Sequence, residues 1–208
     1  MRNLPIAVLL SGNGTTFENL QHWKLTQGLP IDFQLVISSR ESARGLQLAR
    51  ENAIVNQVVR RRDFVTSAAH SEAIFSLCRE HRAQLVVMAG YIEHLLIPSD
   101  FVHRVVNIHP SLIPAFCGQG FYGLKVHQAA IDYGVRLTGC TVHFVDNEYD
   151  HGPIIAQRMC PVLEADTAES LQQRVFDVER QLYPEAIAAI AAGNVQVAGR
   201  KVKVNAIF

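Results

Sequence analysis

An open, mostly parallel α/β sheet with an antiparallel C-terminal portion is predicted for this chain. Two observations carry the prediction. Short apolar runs alternate with helical patterns through the first half, and two apolar runs follow one another without a helix in the second. Strand–helix alternation implies parallel strands joined by right-handed crossovers, so helices are expected on both faces of a twisted sheet.

The strands expected in the first half are Ile6–Leu10, Phe33–Ile37, Val55–Val59, Leu85–Met88 and Val105–Ile108. Several are apolar throughout, as strands buried on both faces must be. Between them, Thr16–Leu25, Ala43–Asn52 and Ala68–His81 place apolar residues three and four apart, the spacing of an amphipathic helix. Pro110–Gly123 is rich in proline, glycine and aromatics and reads as a loop, with a helix over Leu124–Tyr133 after it. Strands are expected at Thr138–Val145 and Pro153–Val162. A long helix over Thr167–Ala192 aligns Leu171, Val175, Val178, Leu182, Ile187 and Ile190 on one face. Asp166 or Thr167 is suited to cap its start, Gly193 to stop it, and Pro184 marks a place for a kink. Val195–Phe208 reads as a terminal hairpin. No repeat, low-complexity tract or linker interrupts the 208 residues. One domain is expected, with a phosphate-binding half over 1–106 and a catalytic half over 107–208.

Composition narrows the function. Hydrophobic residues make up 49% of the chain, enough for a sizeable core, and 19 basic residues balance 19 acidic ones. That balance argues against a nucleic-acid binder, which usually carries a basic excess. Arg60-Arg61-Arg62 is the basic cluster, either a solvated loop or a contact for an anion. Cys78, Cys117, Cys140 and Cys160 are scattered and form no metal-binding pair, so reduced thiols and a cytoplasmic location are expected. No metal is expected. No apolar run reaches membrane-spanning length, and Met-Arg-Asn-Leu-Pro leads into a strand without the form of a signal segment.

Ligands of open α/β sheets bind beyond the carboxyl ends of the strands. The first strand ends in Ser11-Gly12-Asn13-Gly14-Thr15-Thr16, the fourth in Ala89-Gly90-Tyr91 and the fifth in Asn107-Ile108-His109. In the first loop, glycines let the backbone approach a ligand and a helix begins at once, so free N–H groups and the helix dipole favour an anion. A plain strand-to-helix turn is the competing reading. The loop lacks both the Walker lysine and the third glycine of a dinucleotide fingerprint.

Side chains of a strand alternate, so Asn107 and His109 face one way and Ile108 the other, and Pro110 leaves both polar groups at the strand tip. Two polar groups on one face of a buried strand need a reason. Joined by Asp150, from Asp150-His151-Gly152-Pro153, they would supply what acyl transfer requires. The amide and a protonated imidazole stabilise an oxyanion, and the carboxylate supports the imidazole and relays a proton. Each also has a plainer reading: a hydrogen-bonded structural histidine, or an aspartate shaping a turn. His143 is expected to be structural, His127 is open, and Glu179 alone reads as a solvated helix carboxylate.

Taken together, these motifs resemble the folate-dependent phosphoribosylglycinamide formyltransferases, within the formyltransferase superfamily. The resemblance runs from the Ser-Gly-Asn-Gly loop to Leu182-Tyr183-Pro184. It rests on Asn107-Ile108-His109-Pro110-Ser111-Leu112-Ile113-Pro114, on Gly139-Cys140-Thr141-Val142-His143-Phe144-Val145, and on Asp150-x-Gly152-Pro153-Ile154-Ile155. It implies a Rossmann-like fold and transfer of the formyl group of 10-formyltetrahydrofolate to the amine of glycinamide ribonucleotide, by a monomer or homodimer without metal, nucleic acid or membrane.

By the same resemblance Asn107, His109 and Asp150 form the catalytic trio. Gly12, Asn13, Gly14, Thr15 and Thr16 hold the ribonucleotide phosphate, and Glu179 the ribose hydroxyls. Tyr91, Ile92, Leu95, Val145, Asp146 and Asp150 line the folate site. The chain departs from the usual family pattern at Thr15-Thr16 (Ser-Asn), at Ile92-Glu93 (Met-Arg) and at Arg180 (His). Rival readings are a formyltetrahydrofolate hydrolase, a sugar-amine N-formyltransferase and a non-catalytic sugar-phosphate or folate binding module. The hydrolases add an N-terminal domain, the methionyl-tRNA formyltransferases a C-terminal one, and neither is expected here.

Overall fold

A computed structural model describes residues 3–205 and divides the chain into two compact units, one ending at Asn107 and one beginning at Ile108. The first unit contains strands β1 (Leu4–Leu10), β2 (Ile31–Ser38), β3 (Asn56–Val58) and β4 (Leu85–Met88), and most of β5 (Val105–His109). They lie in the order β3-β2-β1-β4-β5, and each neighbouring pair is parallel. Ile6–Leu10, Leu35–Ile37 and Leu85–Val87 are buried, which is why those runs lack polar alternation.

The connections are helices α1 (Thr15–Gln27), α2 (Arg44–Glu51) and α3 (Ser67–Glu80). The chain leaves β1 for β2 and β3 on one side, then returns to β4 and β5 on the other. Strand order therefore reverses between β1 and β4, and the crevice beyond such a switch is where open sheets take ligands. The Gly12–Thr16 loop leaves β1 at that point.

The second unit contains α4 (Leu124–Tyr133), β6 (Leu137–Phe144), β7 (Ile154–Pro161), α5 (Ala168–Ala191), β8 (Val195–Ala198) and β9 (Lys201–Val204). β6 and β7 pair antiparallel, as two strands with no helix between them can. α5 packs on β6, β7 and α4, burying Leu171, Val175, Leu182, Tyr183, Ala186 and Ile187, while Val178 and Ile190 lie half-buried at the edge of that face.

The choice between two caps for α5 is settled by geometry. Thr167 Oγ1 accepts the Ser170 N–H at 3.2 Å, and Ser170 Oγ accepts the Thr167 N–H at 3.0 Å, a reciprocal capping box. Asp166 instead accepts two hydrogen bonds from Arg174, at 2.6 and 2.9 Å, which holds its carboxyl well below the usual range. The helix runs through Pro184 and ends before Gly193, whose φ of 72° is left-handed. The terminal hairpin is β8 paired with β9; the last three residues of the expected span lie outside the described ones.

Candidate active site

Gly14 is the residue on which the first loop turns. Its φ is 72°, and a Cβ there would stand 2.7 Å from the Gly45 Cα of α2. Side-chain strain and backbone collision thus both select glycine. α1 starts at Thr15, and its N-cap Gly14 has no side chain to cap it, which suits the first-turn N–H groups to an external acceptor. Gly12, Asn13 and Thr15 are exposed and Thr16 half-buried. Gly14→Ala should cost about 2–4 kcal/mol in urea unfolding, from left-handed strain plus displacement of α2. Gly12→Ala, with no atom within 4 Å of the added Cβ, should cost less than about 0.5 kcal/mol. Equal losses would show that the loop does not depend on Gly14.

Ser11, at the end of β1, ties the neighbouring strand ends together. Its Oγ is 2.7 Å from Ser39 Oγ and accepts the Ile92 N–H at 3.2 Å. This tie was not legible in the sequence, where Ser11 is only the first residue of the loop, because a serine at a strand end carries no signal of its own. Tyr91 and Leu95 are buried, with the Tyr91 hydroxyl 3.2 Å from His70 Nε2, and Ile92 is 51% exposed. Burial pushes the Tyr91 phenol far above its usual range. Arg60–Arg62, Arg40 and Glu93 line a cavity of about 480 Å³. Arg60 there pairs with Glu41 at 2.6 Å and Asp63 at 2.7 Å, so part of the basic run is neutralised by the protein itself.

In the second unit His109 and Asp150 meet. His109 Nδ1 lies 3.3 Å from Asp150 Oδ2, and the two side chains are only 5% and 12% exposed, so solvent screens the pair little. On the other edge of the ring, Nε2 is 2.9 Å from the Phe116 carbonyl oxygen. Both nitrogens face acceptors, an arrangement satisfied in full only when both carry protons. Asp150 Oδ2 also accepts the Gly118 N–H at 2.9 Å. The loop from Phe116 to Gly118 thus holds the outer edge of both groups, and a substrate oxygen that takes the Nε2–H must displace the Phe116 carbonyl. Asn107 shares β5 with His109, two residues away, and is half-buried.

Asp150 has φ 53°, a left-handed conformation that costs a side-chain-bearing residue on the order of 1–2 kcal/mol. His143 completes its surroundings: Nε2 lies 3.8 Å from Asp150 Oδ1, and Nδ1 is 2.8 Å from the Phe144 carbonyl oxygen. Burial lowers the His143 pKa, against smaller raising effects from the Phe144 carbonyl and Asp150. A second imidazole beside the carboxylate was not legible in sequence, where His143 is one polar residue in a buried strand. His127 is buried, and burial first and His109 second bring its imidazole down to about 4. Thr141 explains the neighbouring motif. Its Oγ1 accepts the Ile113 N–H at 3.0 Å and donates to the Ser111 carbonyl at 2.7 Å, pinning the proline-rich turn after β5.

Val145 and Asp146 lie in the turn after β6, where Asp146 Oδ1 accepts the Glu148 N–H at 3.0 Å. Glu179, on α5, is partly accessible to solvent, yet surrounding protein raises its carboxyl to about 8 by desolvation alone. A solvated helix carboxylate would not behave so. Among the described residues no group of three or more His, Cys, Asp or Glu side chains could hold a metal ion, and no helix is long and apolar enough to cross a membrane.

These features define an α/β protein with a glycine-turned loop at a helix start and a buried imidazole–carboxylate pair, an arrangement suited to acid–base group transfer. A family model described as formyl transferase matches residues 4–187, and the chain belongs to that family. It is 39% identical over 195 residues to a chloroplastic phosphoribosylglycinamide formyltransferase of Vigna unguiculata, covering 91% of this chain and 62% of that protein. The chain thus spans a little under two thirds of that curated relative. Among solved structures, glycinamide ribonucleotide transformylase 1 of Symbiobacterium toebii is 35% identical with a TM-score of 0.88, covering 97% of this chain and 94% of the other. A formyltetrahydrofolate deformylase of Pseudomonas syringae is 26% identical with a TM-score of 0.86, covering 98% of this chain and 66% of that one.

Proposed function

We propose that this chain transfers the formyl group of 10-formyltetrahydrofolate to the amine of glycinamide ribonucleotide, a step of purine biosynthesis. The observation that carries the reading is the buried pair of His109 and Asp150, 3.3 Å apart, in a chain of this family. The phosphate sits on the N–H groups at the start of α1, with the hydroxyls of Thr15 and Thr16 beside it, and Glu179 accepts hydrogen bonds from the ribose. Tyr91, Ile92, Leu95, Val145 and Asp146 surround the folate. The free thiols of Cys78, Cys117, Cys140 and Cys160 support a reducing, cytoplasmic setting.

The uncharged amine attacks the formyl carbon, and the carbonyl π pair moves onto oxygen. Asn107, through its amide N–H, and His109, through Nε2–H, stabilise that oxygen, and the Asp150 carboxylate stabilises the imidazolium through Nδ1. The attacking nitrogen then loses a proton, Asp150 relaying it through water to the departing folate nitrogen, as that carbon–nitrogen bond breaks and the carbonyl re-forms. Protons balance within the two substrates, and neither an oxidant nor a metal enters.

The deformylase likeness makes water the acceptor to test against. With 10-formyltetrahydrofolate as donor, formyl glycinamide ribonucleotide should form at least about a hundredfold faster than free formate. Formate release unaffected by the ribonucleotide would replace this reading with hydrolysis, and transfer to a sugar amine alone would replace the acceptor.

A further inference from the structure

The left-handed backbone of Asp150 persists only if its surroundings hold it there. On one side the holding is direct, through Gly118 and His109. On the other side it falls on the next residue, His151, which is gripped twice. His151 Nδ1 lies 2.8 Å from Asp146 Oδ2. Arg200 Nη2 donates to the His151 carbonyl oxygen at 2.7 Å, and Arg200 Nη1 is 2.8 Å from His151 Nε2. The same Nη1 lies 3.3 Å from His151 Nδ1, so the guanidinium stands against both ring nitrogens while its Nη2–H holds the backbone carbonyl. One ring thus stands between the Asp146 carboxylate and the Arg200 guanidinium. Gly152 follows, packed so closely on the Phe144 carbonyl that no Cβ fits.

Arg200 stands in the turn between β8 and β9, a hairpin that the proposed chemistry otherwise leaves without a task. We propose that Arg200 is a positioning residue for the reaction: through His151 it keeps the Asp150 carboxylate directed at His109. The hairpin then acts as a strut for the turn that carries the acid–base group. This inference rests on the reading of Asp150 as that group.

The test uses the intact chain and five variants, Asp150→Asn alone among them. Arg200→Met keeps the side-chain stem and loses the donors, and Arg200→Lys can restore only one of them. Lys203→Met removes an equal charge from the same hairpin. Arg200→Met is also made in an Asp150→Asn background. Arg200→Met should lower kcat about tenfold, with KM for the ribonucleotide within about twofold. The thermal midpoint should stay within about 2 °C. The Gly118 amide, bonded to Asp150 Oδ2, should exchange its proton about tenfold faster, because the carboxylate is no longer held.

Arg200→Lys should fall between, Lys203→Met should match the parent, and the Asp150→Asn background should show no additional loss. The inference is overturned if Arg200→Met keeps kcat within twofold of the parent. A loss of the same size in the Asp150→Asn background, or one shared by Lys203→Met, overturns it as well. Full turnover in Asp150→Asn alone would instead remove the underlying role of Asp150, and this inference with it.

Discussion

His109→Ala is expected to lower turnover by about three orders of magnitude, and Asp150→Asn by about two, with ribonucleotide affinity within about threefold of the parent. The asymmetry between turnover and binding follows from where the groups act. Both meet charge that exists only once the formyl carbon is tetrahedral, so they stabilise the transition state and contribute little to the ground-state complex. Asp150→Asn is the sharper of the two. Asparagine tolerates the left-handed backbone that Asp150 occupies at φ 53°, and its amide oxygen can still accept the Gly118 N–H. The substitution therefore removes charge with little change of shape. Single-turnover rates and calorimetric affinities check both variants, and turnover within tenfold of the parent would strip that residue of its role.

The second large effect concerns Glu179. Its carboxyl has an ordinary value of 4.5 and stands at about 8 in the fold, raised by desolvation. A group whose folded value is raised favours folding fully below its unfolded value and loses that contribution as pH climbs through the folded one. The native protein holds the extra proton between pH 4.5 and about 8, so stability should fall across that window by at most about 5 kcal/mol, less the part that solvent reaching the half-buried side chain screens. Glu179→Gln should flatten this slope and be the more stable protein above pH 8. Ribose hydroxyls donating to the carboxylate would favour its ionised form. Binding at pH 7 should therefore release close to one proton, visible as a buffer-dependent calorimetric enthalpy, and Glu179→Gln should abolish the release. Parallel pH–stability curves for parent and variant would show that Glu179 titrates as an ordinary surface carboxylate.

Much of the framework was legible because it is local. Apolar runs without polar alternation marked β1, β2 and β4 as strands covered on both faces, and three- and four-residue spacing marked the helices. The absence of a helix between β6 and β7 announced their antiparallel pairing. Where two residues could do one task locally, sequence did not decide. Thr167 caps α5, while Asp166 pairs with Arg174, eight residues on. Glu179 was beyond local reading in the same way, since its desolvation comes from whatever packs around α5.

The chain alone thus determined the α/β class, the glycine loop at the end of β1, and the placing of Asn107 and His109 on one side of a strand tip. Periodicity and turn chemistry act between near neighbours, so they can be read in order along the chain. Only the tertiary structure decided that Asp150 faces His109, that His143 stands behind the same carboxylate, and that the Phe116 carbonyl and Gly118 amide hold both groups. It also brought Arg200 to His151. Such contacts join residues 7 to 49 positions apart, and their energies depend on burial and orientation, which no stretch of sequence carries by itself.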